Sequence, residues 1–566
     1  MSRAARAWTL VAALAGLALP WPAALAGIAT TKHNLSVSGS GTIKAASETQ
    51  ICIFCHTPHS GAPNTPLWNR SSPGSIYLTY SSSTLRGAPG QPTGASLMCL
   101  SCHDGTIALG DVLSRATPIA MSGGVTTMPA GTSRLGTDLS DDHPVSFVYS
   151  AALAASRGEL VDPATLTGRV RLDATGQMQC TACHDPHDDA NGKFLVMANP
   201  ASALCQTCHV KNDWVASDHR NSGATWNGTA PDPWPHTEWT TVAANACENC
   251  HRPHSAGGTP RLLNAASEEA NCFACHNGNV APVNVQSEFN KVSIHPVAST
   301  TAVHDPAEPA VVQSRHVECV DCHNPHAATG GAGTPSGPLS ATRGVAITGG
   351  EVKPTAAEYQ ICFRCHADSL NKPAPYTARQ IAQTNTRLEF DTGNPSFHPV
   401  AGPGRSANVP SLISPWTTAS TMKCTDCHNN SAGPGAGGTG PNGPHGSTYV
   451  PLLERQYVTA DNTSESAANY ALCYKCHSRT SILNDTSFGE HRKHIDGERA
   501  PCNICHDPHG ISATQGNATN NARLINFNTS VVTQSSSGLL RWESTGLFSG
   551  RCYLRCHGRN HNPETY

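Results

Sequence analysis

The chain has 566 residues and a formal charge of −3, with 5% aromatic and 14% charged residues, 49 Gly, 41 Pro and 24 Cys. That length allows three or four ordinary domains, yet so little apolar side-chain mass and so many turn formers exclude several dense cores and long regular elements. The near-neutral charge offers no field toward nucleic acid or an anionic membrane, and the wealth of Cys and His is foreign to a disordered chain.

In chain order, Arg3 and Arg6 lead into an apolar run from Ala7 to Leu19, interrupted only by Thr9 and too short to span a bilayer. Ala24-Leu25-Ala26 follows as a small-residue cleavage site. Residues 1–26 therefore read as a signal peptide with a mature start at Gly27, which places the protein in the periplasm or at the outer cell surface and beyond. No later stretch is long and apolar enough for a transmembrane helix.

The cysteines come next, and they are not scattered. C-x-x-C-H recurs at Cys52/Cys55-His56, Cys99/Cys102-His103, Cys180/Cys183-His184, Cys205/Cys208-His209, Cys247/Cys250-His251 and Cys272/Cys275-His276. It continues at Cys319/Cys322-His323, Cys362/Cys365-His366, Cys424/Cys427-His428, Cys473/Cys476-His477 and Cys502/Cys505-His506. A last pair, Cys552/Cys556-His557, has three residues between its cysteines, and with it all 24 are used. A disulfide framework does not demand His after every pair, and zinc would need two pairs per tetrahedral site and leave the histidines redundant. Two thiols at this spacing can each add to a vinyl group of one haem, with the following imidazole under its iron. About twelve covalently attached c-type haems are expected, the last motif bulging to keep both thioethers.

The remaining histidines supply more than enough sixth ligands, whereas the mature chain has only Met98, Met121, Met128, Met178, Met197 and Met422. This balance favours low-potential bis-histidine haems. One class of candidates is the tail of C-H-x-P-H, at His59, His187, His254, His326 and His509, where proline fixes the backbone. The motif at Cys424 continues instead as Asn429-Asn430, and Gly443-Pro444-His445 is the substitute. Each tail is expected to serve a neighbouring haem, most simply the second of its own pair. A second class precedes the first motif of a pair. His143, His295 and His398 share His-Pro-Val, and His33, His236 and either His491 or His494 (His494 being preferred) stand in equivalent places. His219, His304, His316 and His561 are left over.

The segments from Cys180 through His209 and from Cys247 through His276 resemble the doubled C-x-x-C-H unit of multihaem c-type cytochromes. The likeness lies in a tailed motif, a leucine-bearing spacer (Phe194-Leu195, Leu262-Leu263, Leu452-Leu453) and then a plain motif. The resemblance implies haem and electron transfer, as in cytochromes of metal-respiring bacteria that move electrons across the periplasm or at the outer surface. The missing tail after His428 and the widened last motif depart from it.

The expected fold is mostly irregular, with short α-helices at the motifs and few local hairpins, cored by haem and built from six paired-haem units. Their bounds are 27–140, 141–215, 216–290, 291–390, 391–485 and 486–566. A hairpin is expected at Gly168–Asp173 and Gly176–Gln179, and Trp214, Trp226, Trp234 and Trp239 read first as ordinary packing. The expected function is electron transfer in respiratory or extracellular pathways, without catalysis. Its partners would be other redox proteins, with an outer-membrane partner or self-assembly as further possibilities. The alternatives are a multihaem reductase with one open iron, with the Cys552 centre as the place to look, and a subunit of a conductive filament.

Overall fold

One local structure recurs. In a helical turn, positions i, i+3 and i+4 share a face, so both thiols and the imidazole of C-x-x-C-H project together. A computed structural model describes residues 27–62, 67–299, 304–331, 333, 335 and 337–566, and the leader lies outside them. In eight motifs, from His56 to His506, the histidine N–H donates to the first cysteine's carbonyl at 2.8–3.0 Å. The other three regular motifs end longer helices: α1 (Gly94–His103), α2 (Glu268–His276) and α3 (Glu358–His366). Helix α2 starts where Ser267 accepts from the Ala270 N–H, with Glu268 and Glu269 in its first turn and His276 in its last, matching the helix dipole. In α3, Gln360 reaches back to accept from the Ala357 N–H.

Beyond these turns the chain is mostly irregular. Short bridges tie four of the first motifs to the segment that follows, where His56 pairs with Trp68, His184 with Leu195, His251 with Leu263 and His506 with Ile525. Two-residue strands then stitch distant segments. Ser293–Ile294, just before His295, pairs with Gly446–Ser447, just after His445. Likewise Ser396–Phe397, before His398, pairs with Gly510–Ile511, after His509. The buried apolar residues form small separate clusters, such as Tyr149, Val170, Met178 and Val196, or Val345, Phe363 and Phe390. No helix among the described residues is long and apolar enough to cross a membrane.

Two expectations are corrected. Gln177–Met178 is a strand, but its partner is Phe147–Val148 rather than residues 168–173. The turn itself exists, since Asp173 caps the N–H groups of Thr175 and Gln177, while Val170 is drawn into a core cluster. The C-terminus forms a true three-stranded antiparallel sheet in place of a motif helix. It comprises β1 (Arg541–Gly546), β2 (Ser549–Cys556) and β3 (Arg559–Thr565), in the order β1-β2-β3. Trp542 and Leu554 of this sheet bury against Ile504, Phe527 and Val532, an apolar face that outweighs the helical tendency of the motif.

Candidate haem centres

Eleven imidazoles that follow a C-x-x-C pair each face a second imidazole, with ring centres 6.1–6.5 Å apart. A metal–imidazole bond of about 2.0–2.1 Å on each side would set two facing ring centres roughly 6 Å apart. The gaps therefore fit an iron held between two histidines. First motifs pair His56 with His187, His184 with His254, His251 with His326, His323 with His445, His428 with His509 and His506 with His491. Second motifs pair His103 with His33, His209 with His143, His276 with His219, His366 with His295 and His477 with His398. The ring planes differ by class, 3–44° in the first group and 48–79° in the second.

This pairing corrects the expected one. A tail histidine faces the first motif of the preceding unit, not the second motif of its own. The reason is visible in the adjoining proline. The Pro186, Pro325, Pro444 and Pro508 carbonyls accept from Nδ1 of His33, His219, His295 and His398, and the Pro253 carbonyl accepts from the His143 N–H. One Pro-His step thus serves two imidazole pairs that precede it: its own ring faces the first, and its proline carbonyl orients a ring of the second. Held at Nδ1, a ring presents Nε2 as the donor atom.

The proximal rings are fixed in the same way. Nδ1 of His184, His251 and His506 lies 2.9, 2.8 and 3.1 Å from the Lys193, Arg261 and Arg523 carbonyls. The spacers that supply them turn left-handed at Phe194, Leu262 and Leu524, at φ 57°, 52° and 62°. Such a conformation costs about 1–3 kcal/mol per residue, and here it aims a carbonyl at an imidazole. The leucine-bearing spacers were legible as a pattern, but this role was not.

Burial lowers the pKa of most of the facing imidazoles. It pushes His428, His477 and His506 down to about 4, and His326 and His445 to about 3, with neighbouring imidazoles adding to the effect. In two pairs a carboxylate stands at hydrogen-bond distance from Nδ1: Asp142 lies 2.9 Å from His254, and Glu389 lies 3.2 Å from His509. For His509, burial lowers the pKa but the Glu389 carboxylate outweighs it and the net shift is upward. A carboxylate partner makes an imidazole a stronger donor and favours ferric over ferrous iron. Asp142→Asn should therefore raise the potential of the His184–His254 centre by roughly 30 mV or more, well under the worth of one charge-assisted hydrogen bond, about 1.5–3 kcal/mol. A redox titration of the variant reads this directly, and a fall in potential would refute the assignment.

The motifs follow one another in space as in sequence. Cys99 and Cys180, Cys205 and Cys247, Cys272 and Cys319, Cys362 and Cys424, and Cys473 and Cys502 are near enough for one thiol to hydrogen-bond the next, raising the first of each pair. Burial and the neighbouring motif likewise raise Cys55 beside Cys102, Cys183 beside Cys208, Cys275 beside Cys250, Cys322 beside Cys362, Cys427 near Cys476, and Cys505 beside Cys556. A half-open cavity of about 3520 Å³ runs past the cysteines of the first six motifs, Cys275 excepted, and on to His323 and His326. Small-molecule sites span about 300–1,000 Å³, so this space suits several large groups in a row.

Several expected ligands stand elsewhere. His236 places Nε2 3.0 Å from the Glu248 carbonyl, and His219 takes the facing position because Ser217 and Asp218 dock its short helix onto Pro325 and Ala328. No local pattern marks His219. His494 is held by the Glu490 carbonyl at 2.7 Å, while His491 faces His506. His59 is exposed and faces no imidazole among the described residues. Trp214 packs edge-on against His326, with ring centres 6.1 Å apart. The last motif stands apart. Cys552 and Cys556 lie on strand β2, where a four-residue step spans about 13 Å. A bulge follows Cys552, but His557 turns to the Asp461 carboxylate, 2.9 Å from Nε2, and has no facing imidazole among the described residues.

The facing imidazoles and paired thiols describe a multihaem c-type cytochrome. In agreement, the sequence family described as the doubled CXXCH motif matches residues 174–213 and 240–281. No curated protein matches the chain.

Proposed function

We propose that the protein is an exported electron conduit, carrying electrons in the periplasm or at the outer cell surface between other redox proteins. The observation that supports it is the unbroken succession of facing imidazole pairs. Haem bound at each pair supplies reversible one-electron exchange. The chain's residues would do the rest: the two facing imidazoles would hold the iron between them, backbone carbonyls and two carboxylates would set their strength as ligands, and the shared cavity would keep neighbouring groups close. Eleven bis-histidine centres follow this design, and the Cys552/Cys556 motif would add a twelfth of different ligation. The six paired units are then interlocked, each completed by the Pro-His step of the next.

Closed axial positions argue against catalysis. Protein-film voltammetry should give a broad reversible wave below the hydrogen potential, with no catalytic current on adding nitrite or hydroxylamine. A catalytic wave would favour the reductase reading and point to the iron above His557.

A filament subunit is the second reading, and one observation favours it. The imidazole of the Thr57-Pro58-His59 step is exposed and faces no other imidazole among the described residues. A second copy could present the ring that His59 faces. Sedimentation should then show concentration-dependent elongation that His59→Ala abolishes; a monomer at all concentrations would leave the conduit acting singly.

A further inference from the structure

His304 and His316 are two histidines that no haem pair uses, and they meet two carboxylates in one buried place. His304 Nδ1 lies 3.2 Å from Asp321 Oδ1 and 3.6 Å from Glu308 Oε1. His316 Nε2 lies 3.2 Å from Glu308 Oε2 and 3.9 Å from Asp321 Oδ2. All four ligand atoms fall within 4.8 Å of one another. Four donors around zinc at about 2.0–2.1 Å stand about 3.3 Å apart, so these spacings are close to the edges of a tetrahedron. His304 is only 9% exposed, and its Nδ1, aimed into the cluster, is buried without a hydrogen bond.

The surroundings match those of a metal centre. His316 places its other nitrogen 2.6 Å from the Ser314 hydroxyl, as a ligating histidine is usually oriented. Arg364 holds the carboxylates from outside, 2.6 Å from Glu308 Oε1 and 3.2 Å from Asp321 Oδ1, and the Glu318 N–H donates to Asp321 Oδ2. Glu308 and Asp321 bring two carboxylates against the one Arg364 guanidinium that touches both, so a cation held between the imidazoles would balance the buried charge. A mixed imidazole–carboxylate set suits a first-row divalent cation better than calcium or magnesium.

We propose that His304, Glu308, His316 and Asp321 bind a zinc ion, fastening the loop between His304 and His316 to the Cys319–Cys322 turn. Arg364 lies inside the next motif, on α3, so the ion would brace the unit at both of its centres.

The test uses the full-length holocytochrome, stripped with chelator, incubated with zinc chloride and desalted. Elemental analysis should find one zinc per chain, counted against haem iron. His304→Ala and His316→Ala should each lower retained zinc at least tenfold, with the haem spectrum unchanged. Zinc-edge absorption on the wild type should show two imidazoles, and it decides the matter even if a variant loses haem. Absence of retained zinc, equal retention by wild type and both variants, or fewer than two imidazoles at the edge would each overturn the proposal. The last two would mark adventitious surface binding, and the first a protonated His304 ion-paired with Asp321. None of these readouts depends on conduction.

Discussion

His187→Ala opens the iron above His56 and leaves the centre at His209, in its own unit, intact. The basis is the 6.1 Å gap between His56 and His187 and the separate pairing of His209 with His143. Electron paramagnetic resonance can tell which centre is lost, because near-parallel imidazole planes give a rhombic low-spin signal and crossed planes a strongly anisotropic one. The planes meet at 15° in the His56–His187 pair and at 79° in the His143–His209 pair. The variant should lose rhombic intensity and gain one high-spin haem that binds cyanide, while His143→Ala loses anisotropic intensity instead. Its potential should rise by on the order of 100 mV, a modest part of the roughly 0.8 V that axial ligation spans. Loss of the anisotropic class from His187→Ala would restore pairing within the unit and undo the interlocked scheme.

A chain made without haem attachment should not hold this fold at all. Without haem the half-open space of about 3520 Å³ would be left to water, and the side chains that wall it would lose their packing partners. Domains are stable by only about 5–15 kcal/mol, so such a loss of packing is decisive. The small apolar clusters cannot offset it, and the buried imidazoles would lose their common partner. Apoprotein from a strain lacking the attachment machinery should show narrow amide proton dispersion and rapid proteolysis, against resistance in the holoprotein. A protease-resistant, well-dispersed apoprotein would mean that the polypeptide carries a core of its own.

The attachment motifs were legible because their chemistry is local: four consecutive steps in the chain decide where two thiols and an imidazole point. The distal partners were legible as a set of residue types but not as pairs. His33 and His103 are far apart in the chain, and what joins them is the Pro186 carbonyl of a third segment, which no spacing encodes. His219 shows the same limit, since it is chosen over His236 by docking onto Pro325. His445 was readable because Pro444 keeps the Pro-His step despite its displacement from His428. At the C-terminus, local motif and tertiary burial conflict. Trp542 and Leu554 favour a sheet, and the Cys552/Cys556 pair is carried into a strand.

The most direct measurement is intact mass and pyridine haemochrome quantification on one sample, with the oxidised spectrum recorded beside them. Eleven or twelve covalent haems are predicted, low-spin in all regular motifs, with any high-spin fraction confined to a single haem and removed by Cys552→Ala with Cys556→Ala. Fewer than eleven haems, or a high-spin population spread over several centres, would contradict a row of bis-histidine irons.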